Sequence, residues 1–383
     1  MKIVLATGIF YPDVGGPAIH VRKIAEALVE KGHRPVVLAY GDYDGPDTFN
    51  FEVKRVSRKL PSWRRWLKYL WLVLTSSFGA EAIYAFNLST AGIPVFLTGK
   101  LLCKKILIRV PGDPIWERVV EGGKRFVTIQ EYYERGLYMK DRPWVFRAIK
   151  FALSRFDKIV FYSPLLRDLY EKYYGVSHDK TKIILNPVSK RLASPTGGPA
   201  LNVLPASETT ILFAGRFVAY KNLELVIKVF DKVRQKLGQG QLILIGDGPD
   251  KEKLAAIIKT LPSSGNILMI PKINQEKLFE YIRSATFGIG PALTEFNPNF
   301  ILECLSFGQP VLLSRGNGLT VQLPEEFLFD SKSAEELEFK MSQFFDEEFY
   351  RRARAIVAGL DLYQTWESVT KAHLDLLAQM GQN

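Results

Sequence analysis

The sequence predicts an α/β protein built as two doubly wound, parallel-sheet halves in tandem. Three observations carry this expectation. Apolar runs of about four to eight residues alternate with amphipathic helical stretches from one end of the chain to the other, the pattern of a parallel sheet covered by helices. At 383 residues the chain is long for one domain. A loop from Ser189 to Ser207, rich in Pro, Gly, Ser and Thr, divides it, and the alternation restarts at Thr210. The expected division is therefore 1–190, 191–364 and a last helical segment 365–383.

In the first half, Lys2 to Thr7 reads as a buried strand, Gly8 to Pro17 as a loop, and the following stretch as an amphipathic helix to about Lys31, closed by Gly32. Arg34 to Ala39 is the second strand. Gly15 and Gly16 thus lie at the carboxyl end of the first strand, where open α/β sheets bind ligands. They let a ligand approach the backbone closely, or they form an ordinary turn. The segment is not GxGxxG, so a nicotinamide cofactor is disfavoured. Asp42-Tyr43-Asp44 spells DxD, but it sits in a loop of Gly, Pro and Asp, where solvated turn acids are the better reading. Between Val53 and Trp71, seven basic residues alternate with Trp, Tyr and Leu. From Ser62 this suits a helix with an aromatic face and basic flanks, which fits the interface of an anionic membrane. Arg58, Lys59, Trp63, Arg64, Arg65 and Trp66 are its candidate contacts; the alternative is a core helix with snorkelling cations. Strands are expected at Glu81–Phe86, Lys105–Val110, Lys158–Ser163 and Lys182–Leu185. In the loop after the second of these, Asp113 stands beside Trp116. It is a candidate for binding an acceptor hydroxyl or moving a proton, or else a turn residue before Pro114.

In the second half, Thr210 to Ala214 is a strand, followed by Gly215-Arg216 and, through Lys221, by a helix that Asn222 would cap. Arg216 and Lys221 flank a loop between a strand end and a helix start, where two fixed cations suit a diphosphate. Gln241–Ile245 and Asn266–Ile270 are further strands, the first ending in Gly246-Asp247-Gly248-Pro249. After the apolar run Ala285–Pro291 comes Thr294 to Glu303. Asn297 is a good N-cap, Pro298 suits the first helical position, Gly308 suits the helix end, and Val311–Ser314 is the next strand. Glu295 then lies in a loop, and Glu303 roughly 7–8 Å along the helix at about 1.5 Å per residue. The helix start between them attracts phosphate. Two hydroxyl-binding carboxylates around a phosphate cradle suit a nucleotide sugar.

Charge and composition set outer bounds. Residues 1–190 carry 31 Lys and Arg against 18 Asp and Glu, a net +13, whereas residues 191–383 carry 20 against 22, a net −2. The first half is expected to meet an anionic surface; no RNA-binding motif accompanies the charge, so nucleic acid is not an expected partner. Cys103 and Cys304 read as reduced core thiols, without metal-ligand spacing. No secretory leader or membrane-spanning run is visible, so a cytoplasmic protein, held peripherally at the inner membrane face, is expected.

The chain resembles the retaining glycosyltransferases of family 4. The resemblance rests on Phe10-Tyr11-Pro12 with Gly15-Gly16, on Gly215-Arg216 with Lys221, on Gly246-Asp247-Gly248-Pro249, and on Glu295-x7-Glu303 followed by Gly308-Gln309-Pro310. It implies a GT-B fold, two Rossmann-like domains facing each other across a cleft, with the last helix crossing back to the first. It implies transfer of a hexose from a nucleotide diphosphate sugar to an acceptor hydroxyl, such as that of a lipid-linked glycan or polysaccharide precursor. Arg216 and Lys221 would neutralise the donor diphosphate. Glu295 would hold sugar hydroxyls and Glu303 the ribose. Backbone amides near Asn299 and Phe300 would contact the donor, Gly15 and Gly16 would form the opposing wall, and no metal or other cofactor would be needed. The sequence departs from the family in having Phe296-Asn297 after the first Glu, in having Asn186-Pro187-Val188 near the linker, and in lacking a clear match to the usual N-terminal histidine, close to which Gly112-Asp113 falls. Those departures leave a non-catalytic nucleotide-sugar binder or partner subunit of the same fold as the alternative.

Overall fold

The computed structural model describes residues 1–13, 16–43, 45–188, 208–362 and 364–381. Their strands form two wholly parallel sheets. The first contains β1 (Lys2–Ala6), β2 (Arg34–Tyr40), β3 (Glu52–Val56), β4 (Ala82–Ala85), β5 (Lys105–Val110), β6 (Lys158–Phe161) and β7 (Thr181–Ile183) in the order β3-β2-β1-β4-β5-β6-β7. The second contains β8 (Thr210–Ala214), β9 (Gln241–Ile245), β10 (Ile267–Ile270), β11 (Phe287–Gly290), β12 (Val311–Ser314) and β13 (Leu328–Phe329) in the order β10-β9-β8-β11-β12-β13. Central strands read as unbroken apolar runs because helices cover both faces; Ile3, Val4, Leu5 and Ala6 are all buried. The covering helices include α1 (Gly16–Glu30), α2 (Ser62–Ser76), α3 (Ile93–Leu102), α4 (Pro114–Glu121), α5 (Pro143–Leu153), α6 (Asn299–Ser306) and α7 (Trp366–Gly381).

The chain divides into two compact units: Met1–Ile115 with Gly136–Asn186 and the segment from Thr365, and Trp116–Arg135 with Pro187–Gln364. In the first unit α1 buries Val21, Ile24, Ala25 and Leu28, the stripe of an amphipathic helix. The C-terminal helix α7 completes the same core, placing Val369, Leu376 and Leu377 with Val21, Ile24 and Tyr84. His373 on α7 is fully buried and shares a hydrogen bond of 3.0 Å with the Tyr84 hydroxyl.

Three details differ from the sequence reading. Residues 116–135 pack in the second unit, not the first. The Trp116 ring lies 5.4 Å from Tyr220 and 6.2 Å from Phe296, and the Ile129 amide donates to Thr294 Oγ1 at 3.0 Å. The basic segment begins with an edge strand, β3, whose adjacent Lys54 and Arg55 break its apolar run. Cys103 is exposed, in a left-handed conformation (φ 50) at the end of α3; Cys304 is buried as expected. The loop 189–207, Gly15 and Asp44 lie outside the described residues.

Candidate functional site

In the second sheet the strand order reverses between β8 and β11, and ligands of open α/β folds bind at the carboxyl ends of such neighbours. A cavity of about 200 Å³ opens there, lined by Ala214 and Gly215 at the end of β8, Gly290 and Pro291 at the end of β11, and the start of α6. A side chain at Gly290 would press on its neighbours in this wall. A Cβ on it would stand 2.5 Å from Leu313 Cδ1.

The loop carrying Glu295 is braced from two sides. The Leu293 amide donates to the Tyr220 carbonyl (2.8 Å) and Ser314 Oγ to the Ala292 carbonyl (2.6 Å). Glu295 pairs through its backbone with the next loop, its amide donating to Gly316 O (3.0 Å) and its carbonyl accepting from Gly318 N (2.7 Å). Its carboxylate forms an ion pair with Lys221 Nζ at the cavity wall. The two side chains keep 17% (Lys221) and 22% (Glu295) of their exposure, so the pair is largely shielded but still reached by solvent. Lys221 ends a single helical turn, Ala219–Lys221. Asn222 follows in a left-handed conformation (φ 54) at the cap position of the following helix, as the sequence suggested, but its Nδ2 donates to the Ser331 carbonyl (2.7 Å) and its side chain makes no capping bond.

Helix α6 also starts one residue later than expected. Pro298, not Asn297, takes the cap position, and its own side chain makes no capping bond. Proline satisfies the helix by its carbonyl alone, accepting from the Leu302 amide at 2.9 Å. The first-turn amides at Asn299, Phe300 and Ile301 therefore border the cavity with the positive end of the helix. Gly308 ends the helix region at φ +74, as its type suggests. Glu303 lies one turn into α6, half-buried, with Oε1 accepting from Gln275 Nε2 at 2.9 Å.

Arg216 follows Gly215 out of the cavity wall. Its side chain is 67% exposed and approaches Glu121 of α4 at 3.4 Å. The Gly246-Asp247-Gly248 segment fixes this loop by backbone contact. Phe217 N donates to Asp247 O (2.9 Å), and a Cβ at Gly246 would lie 1.9 Å from Gly215 O. Tyr220, unnoticed in the sequence, is partly buried, its ring 5.4 Å from that of Trp116. Burial and then the Glu117, Glu295 and Glu121 carboxylates push its hydroxyl well above the ordinary range, with Arg216 opposing, so it stays neutral. Phe296 does not line the cavity. It is buried on Trp116, an arrangement invisible in sequence because the two residues are far apart along the chain.

The structure thus brings Lys221, Glu295, Asn299 and Phe300 together, with Arg216 and Glu303 on adjoining turns. The remaining candidates belong to the first unit. Asp113 is fully buried; its carboxylate accepts from the Ile115 amide (3.1 Å) and the Tyr174 hydroxyl (3.0 Å), bonds that hold the start of α4 in place. Gly16 is the first residue of α1, with open space where a Cβ would be. Arg58 pairs with Asp13 and donates to Tyr40 O (3.2 Å), and Arg65 donates to Arg58 O (3.2 Å). Asp42 accepts from Ser57 and, at 3.1 Å, from the Arg58 amide, which holds its carboxyl below the usual range.

Two family models match the chain, glycosyl transferase 4-like domain over residues 15–187 and glycosyl transferases group 1 over residues 201–359. The chain belongs to the family-4-type glycosyltransferases. Among its relatives, an uncharacterised glycosyltransferase of Methanocaldococcus jannaschii is 22% identical, covering 97% of this chain and 96% of the relative. The GPI3 subunit of phosphatidylinositol N-acetylglucosaminyltransferase from Saccharomyces cerevisiae is 20% identical over 85% of this chain and 70% of the relative. In fold, this glycosyltransferase is similar to Anabaena HepE in complex with UDP-glucose, with a TM-score of 0.74 and 14% identity over 99% of this chain and all of that one. Its fold is GT-B.

Proposed function

We propose that the protein is a retaining glycosyltransferase that moves a hexose from a nucleotide diphosphate sugar to an acceptor hydroxyl of a lipid-linked glycan or polysaccharide precursor. The observation that carries this reading is the Lys221–Glu295 pair beside the start of α6, at the switch point of the second sheet. The helix start and Lys221 offer positive charge to a diphosphate, and Arg216 can swing to the same group. Glu295 can accept from sugar hydroxyls, and Glu303 from those of the ribose. Fixed cations at the leaving group stabilise the charge that develops as the bond from the anomeric carbon to the phosphate oxygen breaks, and no metal is required for this. The acceptor oxygen attacks from the same face, and its proton passes to a phosphate oxygen of the departing diphosphate. Glu295 and Glu303 are binding groups in this scheme, not the acid and base of a hydrolase. The nucleotide-sugar class of donor is supported by the complex of the Anabaena relative with UDP-glucose. A lipid-borne acceptor is supported by the name of the phosphatidylinositol-modifying relative, and such an acceptor would be met at the cytoplasmic face of a membrane.

A calorimetric panel of UDP-, GDP- and ADP-sugars without added metal tests the reading. One donor should bind selectively, and Glu303→Ala should weaken it about 10- to 100-fold, the loss of a charged hydrogen bond worth ~1.5–3 kcal/mol. No binding by any donor, or equal binding by the variant, would overturn it.

A further inference from the structure

Resting on the reading that the acceptor is borne by a lipid, we propose that a three-helix face of the first unit is the surface by which the protein sits on an anionic bilayer. The face is built by α2, α3 and α5, well beyond the basic segment that first suggested membrane contact. Helices α2 and α3 pack side by side, and Phe96 of α3 meets Phe151 of α5 edge-on at 5.9 Å. Each helix buries one side and leaves large apolar residues on the other. On α2 these are Trp63, Leu67 and Trp71, and on α3 Ile93, Leu97 and Leu101, both spaced i, i+4, i+8. On α5 they are Trp144 and Phe151. Trp71, Leu101 and Trp144 keep 65%, 69% and 76% of their surface exposed, which burial in a core would remove.

Charge decides the occupant. The three helices hold three, one and two lysines or arginines respectively, and no aspartate or glutamate. Three of the exposed rings each carry an arginine over the face: Arg64 over Trp63 at 5.0 Å, Arg147 over Trp144 at 5.1 Å and Arg155 over Phe151 at 5.1 Å. A ring with a guanidinium beside it suits the boundary where acyl chain meets lipid phosphate: the ring enters the apolar layer and the guanidinium meets the anion. A protein partner matched to this face would need carboxylates spaced around an apolar centre; a bilayer with anionic headgroups supplies both layers everywhere. None of the described helices is long and apolar enough to cross a membrane, so the contact is interfacial. Arg58 and Arg65 take little part, being committed to Asp13 and to backbone carbonyls of the protein itself.

The test is co-sedimentation of the intact protein with vesicles of phosphatidylcholine alone and of phosphatidylcholine with phosphatidylglycerol in equal parts, neither containing a glycan acceptor. Pelleting should require the anionic lipid. Arg147→Gln should weaken partitioning about fivefold, the ~1 kcal/mol of one cation near such a surface. Leu101→Ser and Trp144→Ser, which lie outside the basic segment, should each weaken it at least as much. Thermal midpoints and donor binding should not move, which separates loss of the surface from misfolding and from failure of the donor site. Equal pelleting with both vesicle types, or full pelleting by Leu101→Ser and Trp144→Ser, would overturn the assignment. So would a dimer in solution that Trp144→Ser dissociates, since a second copy would then be the occupant. Vesicle binding that persists in a protein with no donor affinity would uphold the surface while refuting the proposed reaction.

Discussion

Glu295→Gln separates the two tasks assigned to the Lys221–Glu295 pair. Two unit charges about 4 Å apart attract by ~4 kcal/mol at an effective dielectric of about 20. Both side chains retain roughly a fifth of their exposure. Solvent screening and the entropy of holding two long side chains therefore reduce the net to ~1 kcal/mol. Removing the carboxylate charge releases Lys221 from this competitor, so a nucleoside diphosphate without a sugar should bind about fivefold tighter. The same change leaves a neutral amide oxygen in place of the charged acceptor for sugar hydroxyls, a loss of ~1–1.5 kcal/mol, the difference between a charged and a neutral hydrogen bond. The complete donor should then bind about 5- to 10-fold less tightly relative to the bare diphosphate. The assay is calorimetry of both ligands on both proteins, with the ratio of the two dissociation constants as the readout. A thermal midpoint close to that of the parent shows that the braced loop survives, as the hydrogen bonds of Glu295 to Gly316 and Gly318 come from its backbone. An unchanged ratio, or equal weakening of both ligands, would refute the division of labour between cation and carboxylate.

Two further expectations follow from packing. His20 and His373 are buried with the Arg109 guanidinium near both, next to Asn186 on one side and Tyr84 on the other, and burial followed by Arg109 holds both well below the usual histidine range. The unfolded chain binds these protons first, so stability is full above about pH 6.5 and falls as the pH drops towards the folded values, by ~1.4 kcal/mol per pH unit per histidine. Urea midpoints should decline from pH 7 to pH 5, and His373→Gln should make the decline shallower; a flat profile in the parent protein would contradict the buried neutral pair. Gly246→Ala should cost about 3 kcal/mol or more, because its Cβ would meet the Gly215 carbonyl oxygen, a backbone atom that cannot rotate away. A urea midpoint unchanged by this substitution would show that the two loops are not held together as described.

The order of strands and helices was legible because burial on both faces makes parallel strands continuous apolar runs, while helices keep one apolar stripe. β5, β8, β9 and β12 have the limits their runs suggest. Strand β3 does not read as an apolar run because, at the sheet edge, it is only partly buried and carries Lys54 and Arg55 side by side, one towards each face. The site was partly legible. Lys221, Glu295 and the start of α6 are local, announced by residue types suited to a strand end, a loop and a helix start. The sequence placed the caps at Asn222 and Asn297, the residues with the right chemistry. Asn222 keeps its cap position while its side chain is drawn to Ser331, and Pro298 takes the cap position of α6 from Asn297.

What the sequence by itself determined is the architecture and the family, because periodicity and short motifs are local properties that survive without knowledge of the packing. Only the tertiary structure decided that Phe296 turns onto Trp116, that residues 116–135 join the second unit, and that three helices separated by many residues share one exposed apolar face. These outcomes depend on which surfaces meet across long loops. The free energy that selects them comes from apolar contacts between distant residues, which no short window of sequence contains.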